Sequence, residues 1–230
     1  MNILIVAATE AEIKPILLHY QAVHPDKLGL WRALSSHAHT IDFLVTGIGM
    51  VNTAYSLGKQ LQISSYDWAI NLGIAGTYNH AQPLASIVRV DTDILSEMGA
   101  TTHGGQFENL KDIGFPLYSY ENTRIYNQIE NPNDLQTWNR IANTPTVRGI
   151  TVNTVSGHTE RINWNRQNFS PDIESMEGGA FALACLRSGQ PYVQYRALSN
   201  YVEPRDKNRW KIQEAITALN SFAIQLLEKI

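Results

Sequence analysis

The stretch "NILIVAATEAEIKPILLHYQAV" (2–23) changes its period part-way through. Its first part, "NILIVAA" (2–8), is an apolar run without polar alternation. A strand with one wet face alternates, so an unbroken run belongs to a strand covered on both faces. The second part, "TEAEIKPILLHYQAV" (9–23), spaces its apolar residues as a helix does. It opens on Thr9 with Glu12 three residues later, which is the pattern of a capping box. A doubly buried strand running into a capped helix is the repeating unit of an α/β fold.

The same unit recurs along the chain. "LGLWRALS" (28–35) and "HTIDFLVTG" (39–47) read as a hairpin pair or successive strands, and "MVNTAYSLGKQLQ" (50–62) as a helix. Strands follow at "YDWAINLG" (66–73) and "ASIVRVDTDIL" (85–95). Residues 96–145 lack periodicity and are rich in Gly, Asn, Pro and Thr, with Phe115, Leu117 and Tyr118 among them. They read as long loops covering a site. "TVRGITVNTVS" (146–156) is a strand, "DIESM" (172–176) a short extended piece, "EGGAFALACLRSG" (177–189) a helix, and "PYVQYRALS" (191–199) a strand. An amphipathic helix at 208–230 closes the chain. The alternation predicts helices on both faces of a mixed sheet in a single domain, 1–230.

The bulk numbers exclude several classes. The chain has 230 residues, 43% hydrophobic and 17% charged, with a net charge of -3 and no basic block to suggest a nucleic-acid groove. Its one cysteine, Cys185, lies in an apolar helical stretch and reads as a core residue. The first residues carry no basic segment of a signal peptide, and no run approaches the roughly 18 apolar residues of a membrane span. A cytoplasmic protein is the expectation. The seven histidines fall into no metal-ligand spacing, so no metal or cofactor is expected. His158 follows a strand and reads as a surface or core histidine.

In open α/β sheets, ligands bind beyond the carboxyl ends of strands. The residues there are Thr9 to Glu12, Gly47 to Asn52, Gly73 to Thr77, Ser156 to Glu160, Met176 to Gly179, and Ser199 to Glu203. Glu12 has two readings, as the returning half of the capping box and as a general base in a cleft. "GIGMVN" (47–52) falls short of a dinucleotide fingerprint because Asn52 holds its third glycine position. It is a tight turn bringing backbone close to something. In "NLGIAGTYN" (71–79), Gly73 and Gly76 would let backbone amides approach a ligand. "ESMEGGAF" (174–181) sets Glu174 and Glu177 around Met176, and its three small residues, Gly178 to Ala180, leave room for something bulky.

Taken together and in order, "ILIVAATEAEI", "VTGIGMVNTA", "AINLGIAGTY", "TVNTVSG", "ESMEGGAFALAC" and "YVQYRALSNYVEP" resemble the nucleoside phosphorylase and nucleosidase superfamily over nearly the whole chain. The first part is similar to the methylthioadenosine/adenosylhomocysteine nucleosidases. "ESMEGGAF", "RALSNYVEPR" and "NRWKI" are similar to the futalosine hydrolases, which release hypoxanthine from futalosine in a bacterial menaquinone pathway. The resemblance implies a three-layer α/β/α sandwich, a homo-oligomer (dimer or tetramer), a small nucleoside substrate and no cofactor. By position it implies that Glu12 activates water, and that Met176 and Glu177 contact the ribose. The backbone of Ile74, Ala75 and Gly76 would border sugar and water, and Asn200 would contact the base.

Asn200 departs from the adenine-specific members, which carry aspartate there. Hypoxanthine presents two acceptors side by side, O6 and N7. A carboxylate offers them only lone pairs, whereas an asparagine NH2 donates without changing protonation state. Arg205 and Arg209 are candidates for the benzoate carboxylate of futalosine, with solvated surface arginines as the competing reading. Three rivals stand beside this one. A phosphorylase would need an anion site where "AATEAEI" instead offers carboxylates. A methylthioadenosine nucleosidase is disfavoured by Asn200, and a non-catalytic purine binder would have no need of Glu12.

Overall fold

The computed structural model describes residues 1–23, 30–34 and 39–230. Strand β1 (Asn2–Ala7) runs into helix α1 (Glu10–His19), with Thr9 as its cap. The apolar run of β1 is explained by burial on two sides. Ile3, Ile5 and Ala7 join one core cluster, while Leu4 and Val6 join another across the sheet. Each buried branched side chain contributes about 1.5–3 kcal/mol.

Strands β2 (Leu30–Leu34) and β3 (Thr40–Val45) form the expected antiparallel pair. Residues 28, 29 and 35 of the expected strand lie outside the described residues. Helix α2 (Met50–Ile63) leads to β4 (Trp68–Thr77) and β5 (Ile87–Leu95). The span 96–145 departs from expectation. It holds two small hairpins, β6 (Gly99–Thr101) with β7 (Phe107–Asn109) and β8 (Tyr118–Tyr120) with β9 (Thr123–Ile125). It then adds β10 (Gln128–Glu130), which joins the main sheet, and α3 (Gln136–Ala142). Three-residue strands are too short to show a period, and hairpin edges half-exposed on both sides carry no buried face to read.

After these come β11 (Thr146–Thr151), α4 (Thr159–Phe169), β12 (Ile173–Ser175), α5 (Gly178–Arg187), β13 (Tyr192–Tyr201), a 3₁₀ turn (Lys207–Arg209) and α6 (Ile212–Glu228). Among the described residues, nine strands make one mixed sheet in the order β10-β5-β11-β12-β4-β1-β3-β2, with β13 pairing β4 and β5. Helices α1 and α6 cover one face, and α2 and α5 pack together on the other. The three-layer α/β/α arrangement follows. Gly178 and Gly179 open the helix α5 where β5 passes beneath it, since a Cβ on either would run into Asp93 or Leu95.

Two strands overrun their expected ends. β4 continues through Thr77 and β13 through Tyr201, so Ile74 to Gly76 and Asn200 belong to strands and not to the turns after them. The β13 pairing also slips. Leu198 pairs with Ala75 and Asn200 with Gly76, which leaves Ser199 as an extra residue in a β-bulge.

Candidate active site

The expected residues converge. Glu12, Ile74, Ala75, Gly76, Met176, Glu177 and Asn200 all line one cavity of about 310 Å³. That is at the lower end of small-ligand sites. No residue of 96–145 lines it, so these hairpins do not cover the site as the sequence suggested. His158 is also elsewhere, exposed and paired with Glu160. A wider groove of about 750 Å³ lies against β9 and β10 and holds none of the seven residues.

Glu12 closes the capping box and also lines the cavity. Its Oε2 accepts from the Thr9 amide and the Thr9 hydroxyl, each at 2.9 Å, which closes the capping box. Its Oε1 accepts from the Ile74 amide at 3.2 Å and turns toward the cavity. The two oxygens thus divide the work. Burial pushes the carboxyl above its ordinary 4.5; the bonds from Thr9 and Ile74 oppose this, and Glu177 adds to it. A carboxyl raised in this way is a better proton acceptor than a solvated one.

Glu177 sits at the N-terminus of α5, where helix polarity favours its charge. Its Oε1 accepts from the Gly49 amide at 2.8 Å. This is what "GIGM" brings its backbone close to. Gly49 holds φ +91, a conformation that disfavours any side chain, and its free N–H meets a protein carboxylate.

Asn200 is fixed on two sides. Its Oδ1 accepts from the Ser199 hydroxyl at 2.9 Å, and its Nδ2 donates to the Tyr201 carbonyl at 3.0 Å. One N–H remains for a ligand. Gly76 makes the space: a Cβ there would lie 2.9 Å from Val202 Cγ2 and 3.1 Å from Asn200 Nδ2.

Of the remaining charged groups, Glu174 was seen in the sequence, while Arg196 and Asp93 escaped it. Glu174, paired with Gly76 from the side opposite Asn200, accepts from the Ser156 amide at 2.7 Å, the Ser156 hydroxyl at 2.5 Å and the Tyr78 hydroxyl at 2.9 Å. It pins the turn after β11 into the cavity wall. Arg196 is 1% exposed and donates to the carbonyls of Tyr195 at 3.0 Å and Asn71 at 3.4 Å and to Gln194 at 3.2 Å. Burial pulls it below the ordinary guanidinium value, while Glu177, Asp93 and Glu12 pull it back. Burial pushes Asp93 up to about 6, against a bond from Thr151 and the pull of Arg196. A charge inside an apolar strand run was the available signal for both. Ile48, Trp210, Ile212 and Ile216 supply an apolar wall. Cys185 is buried in the core, where burial raises its thiol.

Among the described residues, no three His, Cys, Asp or Glu cluster as a metal site would require, and no helix is long and apolar enough to cross a membrane. The cavity is thus lined by three carboxylates, Glu12, Glu174 and Glu177, by the Asn200 amide and by an apolar wall. A family model of the phosphorylase superfamily matches residues 2–230. The chain belongs to that superfamily. Within it, the chain is 31% identical to the futalosine hydrolase of Thermus thermophilus over 200 residues, covering 86% of this chain and 84% of the relative. It is also 31% identical to the futalosine hydrolase of Acidothermus cellulolyticus over 226 residues, covering 96% and 88%. The fold matches the native structure of Helicobacter pylori futalosine hydrolase with a TM-score of 0.83 at 16% identity, covering 100% of this chain and 98% of that one. It matches the methylthioadenosine/adenosylhomocysteine nucleosidase of Colwellia psychrerythraea, solved with adenine, with a TM-score of 0.81 at 19% identity, covering 100% and 95%.

Proposed function

We propose that the protein is a nucleosidase that hydrolyses the N-glycosidic bond of futalosine and releases hypoxanthine. The observation that carries this is the pairing of Glu12, a shielded carboxylate on the cavity wall, with Asn200, a neutral amide fixed beside Gly76. Relatives at about 30% identity over most of the chain bear the same name.

The reaction proceeds through an oxocarbenium-like state. Glu12 takes a proton from a water below C1′, and the water oxygen forms the new bond to C1′ as the bond to the base nitrogen breaks. The bonding pair leaves with hypoxanthine, which takes a proton from solvent, and Glu12 returns its proton to solvent to close the cycle. Glu177 accepts from the ribose 2′-hydroxyl and places negative charge near the developing cation. Met176 and the backbone of Ile74 to Gly76 border the sugar. Asn200 donates its remaining N–H to O6 or N7 of the base. An acceptor left unpaired there would cost about 1–3 kcal/mol, a discrimination of tenfold or more. A cytoplasmic homo-oligomer is part of the same reading. Ile48, Val51 and Tyr55 leave an exposed apolar stripe at the start of α2, which supports association.

Chromatography of the base released from futalosine in phosphate-free buffer tests the proposal, with inosine and methylthioadenosine in parallel. Hypoxanthine from futalosine is the expected product. Release from inosine alone, and only with phosphate, would make the protein a phosphorylase. Asn200→Asp is expected to shift the hypoxanthine-to-adenine preference about tenfold toward adenine nucleosides. An unchanged ratio of kcat/KM values removes Asn200 from base selection.

A further inference from the structure

The base and ribose account for the polar end of the cavity, and they leave the wall of Ile48, Trp210, Ile212 and Ile216 without a purpose. That wall is supplied largely by the segment after β13, which folds back on the site. The Arg205 amide donates to the Gly157 carbonyl at 3.2 Å, and the Lys211 amide donates to the Ser199 carbonyl at 2.7 Å. The segment is thus tied to the turn after β11 at one end and to the β13 bulge at the other.

Arg205 packs between Gly157 and Trp210, beside the cavity wall. Its stem covers Gly157, where a Cβ would meet Arg205 Cβ at 3.1 Å and Cδ at 3.6 Å. Gly157 adjoins Val155 and Ser156, which line the cavity. The guanidinium then stands over the Trp210 ring, 5.1 Å from its centroid. Its neighbours are neutralised: Arg209 pairs with Glu203 at 2.8 Å and Lys211 with Glu214 at 3.1 Å. Among the described residues, no carboxylate pairs with Arg205. A guanidinium whose face meets an aromatic ring still has N–H groups to offer, and they form a fork that matches a carboxylate.

We propose that Arg205, seated on Trp210, is a substrate-binding residue that pairs with a carboxylate at the end of an apolar 5′ extension. This rests on the function proposed above, whose substrate carries a benzoate. The ring packs along Trp210 and the carboxylate reaches the fork at the rim. Arg209 is excluded from the role by its bond to Glu203.

The test compares futalosine with its methyl ester, which keeps the shape and removes the charge. In the parent protein, KM for the acid is expected to lie below KM for the ester and to rise with salt. Arg205→Met is expected to raise KM for the acid roughly tenfold with kcat unchanged, and to leave the ester unaffected. Arg205→Lys keeps the charge but not the fork, and falls between. An equal loss on acid and ester would mean that Arg205 only braces Trp210 and Gly157, and would overturn the proposal. So would no change on either. If no base is released from any substrate, the hydrolase reading fails, and calorimetric binding of acid and ester then decides the matter for Arg205. A preference for the acid that disappears in Arg205→Met supports the pairing; equal binding of acid and ester by the parent sinks it.

Discussion

Glu12 caps a helix through one oxygen and faces the cavity with the other, so its protonation touches both stability and reaction. Folding raises its pKa above 4.5, mainly through burial. The native state therefore binds this proton more tightly than the unfolded chain. The stability it contributes is present below 4.5 and is lost as pH rises through the raised value. Glu12→Gln cannot titrate, so the difference in Tm between variant and parent is expected to move in the variant's favour across that window, as thermal melts at several pH values would show. On the proposed mechanism, the same shift also governs the pH profile. The acid limb of kcat/KM is expected above the ordinary 4.5, and a limb at or below it would take Glu12 out of the role of base. Glu12→Gln is expected to lower kcat by about 10²–10⁴-fold while binding persists, measured by single-turnover release and calorimetry.

At the level of elements, the site is a meeting of strands and turns that lie far apart in sequence. Strand β4 runs between β12 and β13, and Gly76 pairs with Glu174 on one side and Asn200 on the other. Gly76→Ala would force Val202 and the Asn200 amide aside. It is expected to cost about 1–3 kcal/mol in urea unfolding and to raise KM more than it lowers kcat. Much of this was legible beforehand because strand ends in an α/β chain mark sites, and Glu12, Glu177 and Asn200 all stand near such ends. The bulge was not legible, since nothing in "RALSNY" distinguishes an extra residue from an ordinary alternation. Helix α4 was missed for a different reason. "TERINWNRQNF" buries fully only Ile162 and Asn165, and one fully buried apolar residue makes no stripe.

Across the whole molecule, the sheet holds a small group of charges beneath the cavity. Arg196 on β13 lies within electrostatic reach of Glu12, Asp93 and Glu177, which come from α1, β5 and the start of α5. Removing one partner of a buried charge pair leaves the others uncompensated and costs about 3–5 kcal/mol. Arg196→Met is expected to destabilise the fold by that order, and by less near pH 5 than at pH 8. Asp93, with its pKa near 6, and Glu12 take up protons on the acid side and relieve the excess negative charge. Equal losses in urea unfolding at both pH values would argue against the group acting together. Arg196 and Asp93 were passed over in sequence because "YVQYRALS" and "IVRVDTDIL" read as core strands, and the charged residues within them were not weighed as a site.

The surplus residue in β13 has a consequence for inheritance. With Ser199 bulged, Asn200 stands opposite Gly76 and lines the cavity. The backbone there is fixed by sheet pairing, so exchanging the amide for an acid rebuilds nothing. Asparagine and aspartate codons differ by one nucleotide. On the function proposed above, a lineage carrying this strand stands a single transition away from a different base preference, whereas losing residue 199 would remove the slip, keep position 200 opposite Gly76 and take away the hydroxyl that holds the Asn200 oxygen.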